Sequence, residues 1–182
     1  NGRAFPFRTI ATNNGDVYWF GWLERGAEGS RGFDASKGAL FPHLAGRGIE
    51  ICPALRYSGS QFKLKANGAA YGYGYNIHLA PMGEKATANV HQLARPAGTV
   101  FLADCAQVNT FQPPATPQRP MLEEFYYVST NEATVHFRHA KLANAVFCDG
   151  HVEAEKPVPG SLDTRLPAHV IGRIAPEKLA VR

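Results

Sequence analysis

Four side chains of this sequence, Asp104, His139, Asp149 and His151, could together hold a cation. Asp104 and Asp149 each follow an apolar run that reads as a strand, which puts both carboxylates at strand ends. Two carboxylates with backbone carbonyls suit calcium, whereas added imidazole favours a transition metal. No dense run of alternating aspartates marks a dedicated calcium loop. His139, Asp149 and Cys148 could also be assembled as a nucleophile set. The apolar neighbours of Cys148 point instead to a buried, inert thiol, so catalysis is not expected. Glu123 and Glu124 are adjacent and face opposite sides of a strand, so they do not converge on a substrate and read as a solvated face. His136 and His139 have HxxH spacing, but on a strand they too face opposite sides.

Tyr71, Tyr73 and Tyr75 alternate with Gly72 and Gly74. On a strand the three rings share one face, and the glycines leave the other face open to close backbone approach. The rings could form a platform for a glycan or a partner. A tyrosine layer packed on the sheet is the expected arrangement. The three cysteines are Cys52, Cys105 and Cys148, with no CxxC, which excludes a zinc ribbon or a thioredoxin-type site. Cys105 ends one strand and Cys148 ends another. If those strands are neighbours, a Cys105–Cys148 disulfide is geometrically possible. Free buried thiols are the alternative.

The elements that must position these residues are short. Val17–Leu23 reads as a strand, and Ser36–Leu44 as a short helix interrupted by Pro42. Ile49–Pro53 reads as extended, Tyr71–Asn76 as a strand, and Val90–Leu93 as a turn of helix. Thr99–Asp104 is the clearest buried strand. Gln107–Pro120 carries four prolines and reads as a long surface loop of the kind that carries function. Ala133–His139 and Ala143–Cys148 read as strands of a meander. Asp149-Gly150 signals a two-residue type I′ hairpin, in which a His139–Asp149 hydrogen bond would pin the sheet edge. From Pro157 onward the chain reads as an irregular strap.

Composition sets outer bounds. The 182 residues, 45% hydrophobic and 19% charged, suffice for one domain (1–182) with a real core. Gly 18 and Pro 13 exclude a long-helix bundle. No apolar run reaches the ~18–20 residues of a membrane span. The net charge of +4 lies wholly in residues 1–91, and no dense Lys/Arg cluster exists, so nucleic-acid binding is not expected. The chain does not begin with Met and shows no signal peptide, so a processed or truncated piece is expected.

The run from Phe137 to Val152, with His139, nine residues and then Asp149-Gly150, resembles the H-X9-DG signature of the prepilin-type, processing-associated family. Cys52-Pro53, Tyr73-Gly74-Tyr75-Asn76, Leu102-Ala103-Asp104 and the opening Asn1–Pro6 are similar to other segments of that family, in the same order. The resemblance covers the chain to about Val158. It implies a structural subunit of a type II secretion or type IV pilus-like system, pilin-like or pseudopilin-like, in the cell envelope. The implied fold is α+β, mostly β: a pilin-like head with a small antiparallel sheet, short helices and long loops. Its partners would be other subunits or secretion components, reached through an N-terminal helix that the sequence lacks. Without that helix an apolar stripe should lie exposed, with Trp19, Phe20 and Trp22 as candidates. Gln107–Met121 would be the partner-facing loop. No cofactor is implied beyond calcium, which some major pseudopilins bind. The alternative function is a secreted carbohydrate-binding module using the tyrosines and nearby tryptophan.

Overall fold

Alternating apolar positions organise a five-stranded sheet at the centre of the molecule. The computed structural model describes residues 2–10, 14–44, 51–68, 72–80 and 87–181. The sheet comprises β6 (Tyr73–Asn76), β7 (Val100–Asp104), β10 (Tyr127–Val128), β12 (Ala143–Phe147) and β13 (Val152–Glu155), in the order β10-β6-β7-β12-β13. All its pairings are antiparallel except β10 with β6. Ala143, Ala145 and Phe147 of β12 point into a core with Val100, Val135, Phe137, Ile174 and Leu179, while Asn144 and Val146 face the other way. Gly74 lets β6 sit close to its surroundings, since a Cβ there would lie 2.5 Å from the Cys105 sulfur.

Smaller sheets close around this one. β1 (Arg8–Ile10), β2 (Gly15–Tyr18), β3 (Gly21–Glu24) and β4 (Phe33–Asp34) form an antiparallel meander, followed by α1 (Phe41–Leu44). β5 (Phe62–Lys63), β9 (Met121–Glu123) and β8 (Gln107–Asn109) form a mixed sheet. β11 (Val135–His136) pairs with β14 (Ile171–Gly172) in the C-terminal strap. The molecule is therefore mostly β, with several sheets instead of one and with parallel pairs among them.

Three local expectations change. Val17–Leu23 is a hairpin, not one strand: β2 and β3 turn at Trp19-Phe20. Both aromatic rings are wholly buried, against Tyr126 and Phe5 among others. Burial of the rings outweighs their strand propensity, and the turn's backbone is satisfied by Trp19 N–H to Phe7 O and Leu40 N–H to Trp19 O. Trp19 and Phe20 are therefore core, not an exposed stripe, and Trp22 is half-buried over Gly15. Gln107–Asn109 is strand β8, so the loop begins after it. The strap after Lys156 is tied down: Asn76 Nδ2 donates to Val100 O at 2.8 Å and to Leu179 O at 3.1 Å.

The two ends of β12 also differ from expectation. Asp149 does not take a positive φ, so the turn is not type I′. Gly150 N–H donates to Phe147 O, Phe147 N–H donates to His151 O, and Gly150 alone is left-handed at φ 95°. This is a three-residue loop with a glycine bulge. The type I′ turn lies at the other end, where His139 and Leu142 exchange both backbone bonds around Ala140 (φ 53°) and Lys141 (φ 65°). The nine-residue spacing is thus a tight turn, Leu142, β12 and Cys148.

Candidate functional site

β7 ends in Asp104, and the tight turn before β12 starts at His139. The antiparallel pairing of β7 with β12 brings these residues together. His139 Nε2 lies 3.2 Å from Asp104 Oδ2. Cys52, from the loop ahead of Pro53, places its sulfur 3.6 Å from the same nitrogen. Arg138 ties the group from behind. Its guanidinium donates to Asp104 Oδ1, to Cys52 Sγ at 3.3 Å and to Gly72 O at 2.6 Å. Asn144 N–H donates to Asp104 Oδ2 at 2.7 Å. Asp104 and Cys52 are buried, while the His139 side chain is 34% exposed.

Burial pushes the Asp104 carboxyl above its ordinary range, against the pull of Arg138, the Asn144 amide and His139. With donors on both oxygens, the geometry accommodates the carboxylate form. His136 lies beyond Arg138, and Arg138 donates to its Nδ1. Burial, with the nearby Arg138, His169 and His139, lowers its pKa to about 3 and keeps it neutral. It does not join His139 in a site.

Cys52, Asp104 and His139 line one end of an open groove of about 570 Å³ on the outer face of the sheet. Leu40, Leu44, Tyr73, Phe101, Leu102, Val146 and Val152 make the rest of the groove apolar. The register of β7 on β12 slips between Val146 and Phe147, leaving Phe101 as a bulge, and both Phe101 and Leu102 reach the groove. On the far side of Arg138 is a cavity of about 600 Å³ whose titratable lining residues, Arg56, His136, Arg138, Lys141 and His169, are all basic.

The expected cation set divides between the two ends of β12. Asp104 and His139 meet at one end. Asp149 and His151 meet each other at the other, His151 Nδ1 to Asp149 Oδ1 at 2.6 Å, on an exposed turn. Hydrogen bonds from His151 hold the Asp149 carboxyl below its ordinary range. No His139–Asp149 pin exists, because the whole length of β12 separates them. A Cys105–Cys148 disulfide does not form either. The strands are neighbours, but they run antiparallel: Cys148 N–H bonds to Thr99 O at the start of β7, whereas Cys105 follows its end. Cys148 is partly buried, and burial pushes its thiol up to about 11, as an inert thiol requires. Tyr75 is wholly buried, its hydroxyl donating to Phe5 O at 3.1 Å, so it is no glycan platform. Tyr73 lines the groove, and Tyr71 lies outside the described residues.

Cys52 and Arg138 are the site residues that sequence reasoning missed as a pair. Cys52-Pro53 and the Arg138-His139 step were visible, but loop closure over more than eighty residues leaves no spacing signal. Glu123 and Glu124 were misread as a solvated face, for both are wholly buried. Glu123 accepts from Lys63, Gln107 and Asn109, with Lys65 at 3.4 Å and Glu28 on the other side of both lysines. The same-face spacing of Lys63 and Lys65 beside Phe62 was the available signal. Comparison of the chain with protein-family models, with curated proteins and with solved structures finds no match.

Proposed function

We propose that this chain is the head domain of a pilin-like or pseudopilin-like subunit of the cell envelope, working by assembly in a type II secretion or type IV pilus-like system. The observation that carries this reading is the apolar groove. The N-terminal aromatics cover only part of the outer face of β6 and β7, with Phe5 stacked 4.8 Å from Tyr75 and edge-on to Phe101 at 5.3 Å, while Tyr73, Phe101 and Leu102 still line the groove. The groove runs on across Val146 of β12 to Val152 of β13, which is 63% exposed. An apolar helix of the same subunit, of the kind that precedes the head in the family this sequence resembles, is the occupant proposed for that strip. No helix among the described residues is long and apolar enough to cross a membrane. The residues of the H-X9-DG run serve turns and a clamp, which suits a subunit that works by shape. The loop between β8 and β9 carries Phe111, 68% exposed, as a contact for a neighbouring subunit.

Val152→Asp tests this. The substitution sits on an exposed position, so the isolated head should fold with an unchanged circular dichroism spectrum. In the native host the variant should lose incorporation into the sheared filament or envelope assembly. Incorporation at the wild-type level would contradict the groove as the helix seat.

A further inference from the structure

We propose that Cys52, Asp104 and His139 form a binding site for one transition-metal ion of the zinc class. All three donors belong to the head, and the remaining coordination position opens on the groove. The donor set is one thiolate, one imidazole and one carboxylate, a soft-to-borderline combination that suits zinc, cobalt or nickel and not calcium. The ligand atoms of all three residues lie within 4.8 Å of one another.

Two of the three donor separations match a tetrahedron. Metal–nitrogen and metal–oxygen bonds of about 2.0 Å at a tetrahedral angle put the two atoms about 3.3 Å apart, and a metal–sulfur bond of about 2.3 Å puts sulfur about 3.5 Å from nitrogen. The observed separations are 3.2 Å for His139 Nε2 to Asp104 Oδ2 and 3.6 Å for Cys52 Sγ to His139 Nε2. The groove supplies an open side for a fourth ligand, so water or an exogenous donor can complete the shell.

Arg138 is an outer partner, not an occupant. It donates to the sulfur and to Oδ1, the carboxylate oxygen that His139 does not use, and so orients both anionic ligands. Its positive charge lowers affinity for a cation: the two anionic ligands cancel a divalent ion, and Arg138 leaves the occupied cluster at +1. Binding replaces the Cys52 S–H proton by a metal–sulfur bond and releases that proton to solvent.

The test uses the untagged full chain, stripped with chelator and titrated with cobalt(II) and then zinc(II). One ion per chain by native mass spectrometry is expected. A thiolate-to-cobalt charge-transfer absorption should appear in the near ultraviolet and be bleached by one equivalent of zinc. C52S should abolish the band, and C148S should keep it. H139Q should weaken cobalt binding by about tenfold or more with an unchanged circular dichroism spectrum. Absence of stoichiometric binding, or a band that survives C52S, would overturn the site and leave the cluster as a structural clamp. If C52S does not fold, alkylation of the wild-type chain decides. Stoichiometric zinc should protect Cys52 from iodoacetamide, because a metal-bound thiolate is no longer free to attack, and an unchanged rate would overturn the proposal.

Discussion

Two buried charge clusters stand in one molecule and differ in kind. Lys63, Glu123, Glu28 and Lys65 form a closed group between β5, β9 and the Glu28 loop, with every charge facing an opposite one and amides filling the remaining sites of Glu123. Arg138, Asp104, His139 and Cys52 form an open group that ends in a groove and contains soft donors. The first has nothing left to bind and serves packing specificity. The second keeps a face of ligand atoms toward open space. Chemical type and access to a cavity, more than burial of charge, separate a structural network from a binding site.

Breaking either cluster at its cation should give the largest effect. K63A leaves Glu123 buried beside a lost partner, and R138A does the same to Asp104. Each should cost about 3–5 kcal/mol in urea denaturation. The clusters should then part company. Replacing both Lys63 and Glu123 by Met should recover much of the loss in a double-mutant cycle, because the closed group needs no charge. By contrast C52S should cost less than about 1 kcal/mol, since Arg138 and Asp104 keep each other.

Acid should distinguish the surroundings of the two groups. His136, beside the open cluster, has its folded pKa lowered from 6.5 to about 3. Below its ordinary value the unfolded chain takes a proton that the folded chain refuses. Stability should therefore fall as pH drops from about 6.5 toward about 3, by up to about 1.4 kcal/mol per pH unit. H136Q should flatten that limb. In the closed cluster, burial raises the Glu28 carboxyl, but Lys63 and Lys65 outweigh it and hold the group below its ordinary 4.5. Its contribution is present above that value and is lost as pH falls further, so E28Q should change only the more acidic part of the curve. An effect of opposite sign is expected at the tight turn. A140N with K141G supplies the residues a type I′ turn prefers and should raise the thermal midpoint, by about 1 kcal/mol of stability.

The regular part of this fold was legible. The apolar runs from Thr99 and from Ala143 mark β7 and β12, because short apolar runs bounded by turn signals are how buried strands read. The glycines at 72 and 74 announced the close approach beside Cys105. Trp19-Phe20 misled because aromatic residues signal strands locally, whereas their burial here is set by Phe5 and Tyr126 from elsewhere in the chain. The type I′ turn was assigned to Asp149-Gly150, the pair with the right chemistry, while the chain forms it at Ala140-Lys141 under tertiary constraint. Asp104 and His139 were recognised as candidate ligands. Cys52 was not, because a loop brings it in and loops carry no periodicity.

The most direct measurement is the N-terminus and intact mass of the protein isolated from its own cells. The pilin-like account predicts a mature chain that starts with a methylated residue and a hydrophobic helix ahead of Asn1. A mature chain starting near Asn1, or after an ordinary secretory cleavage site, would remove the helix from the groove and contradict the assembly function.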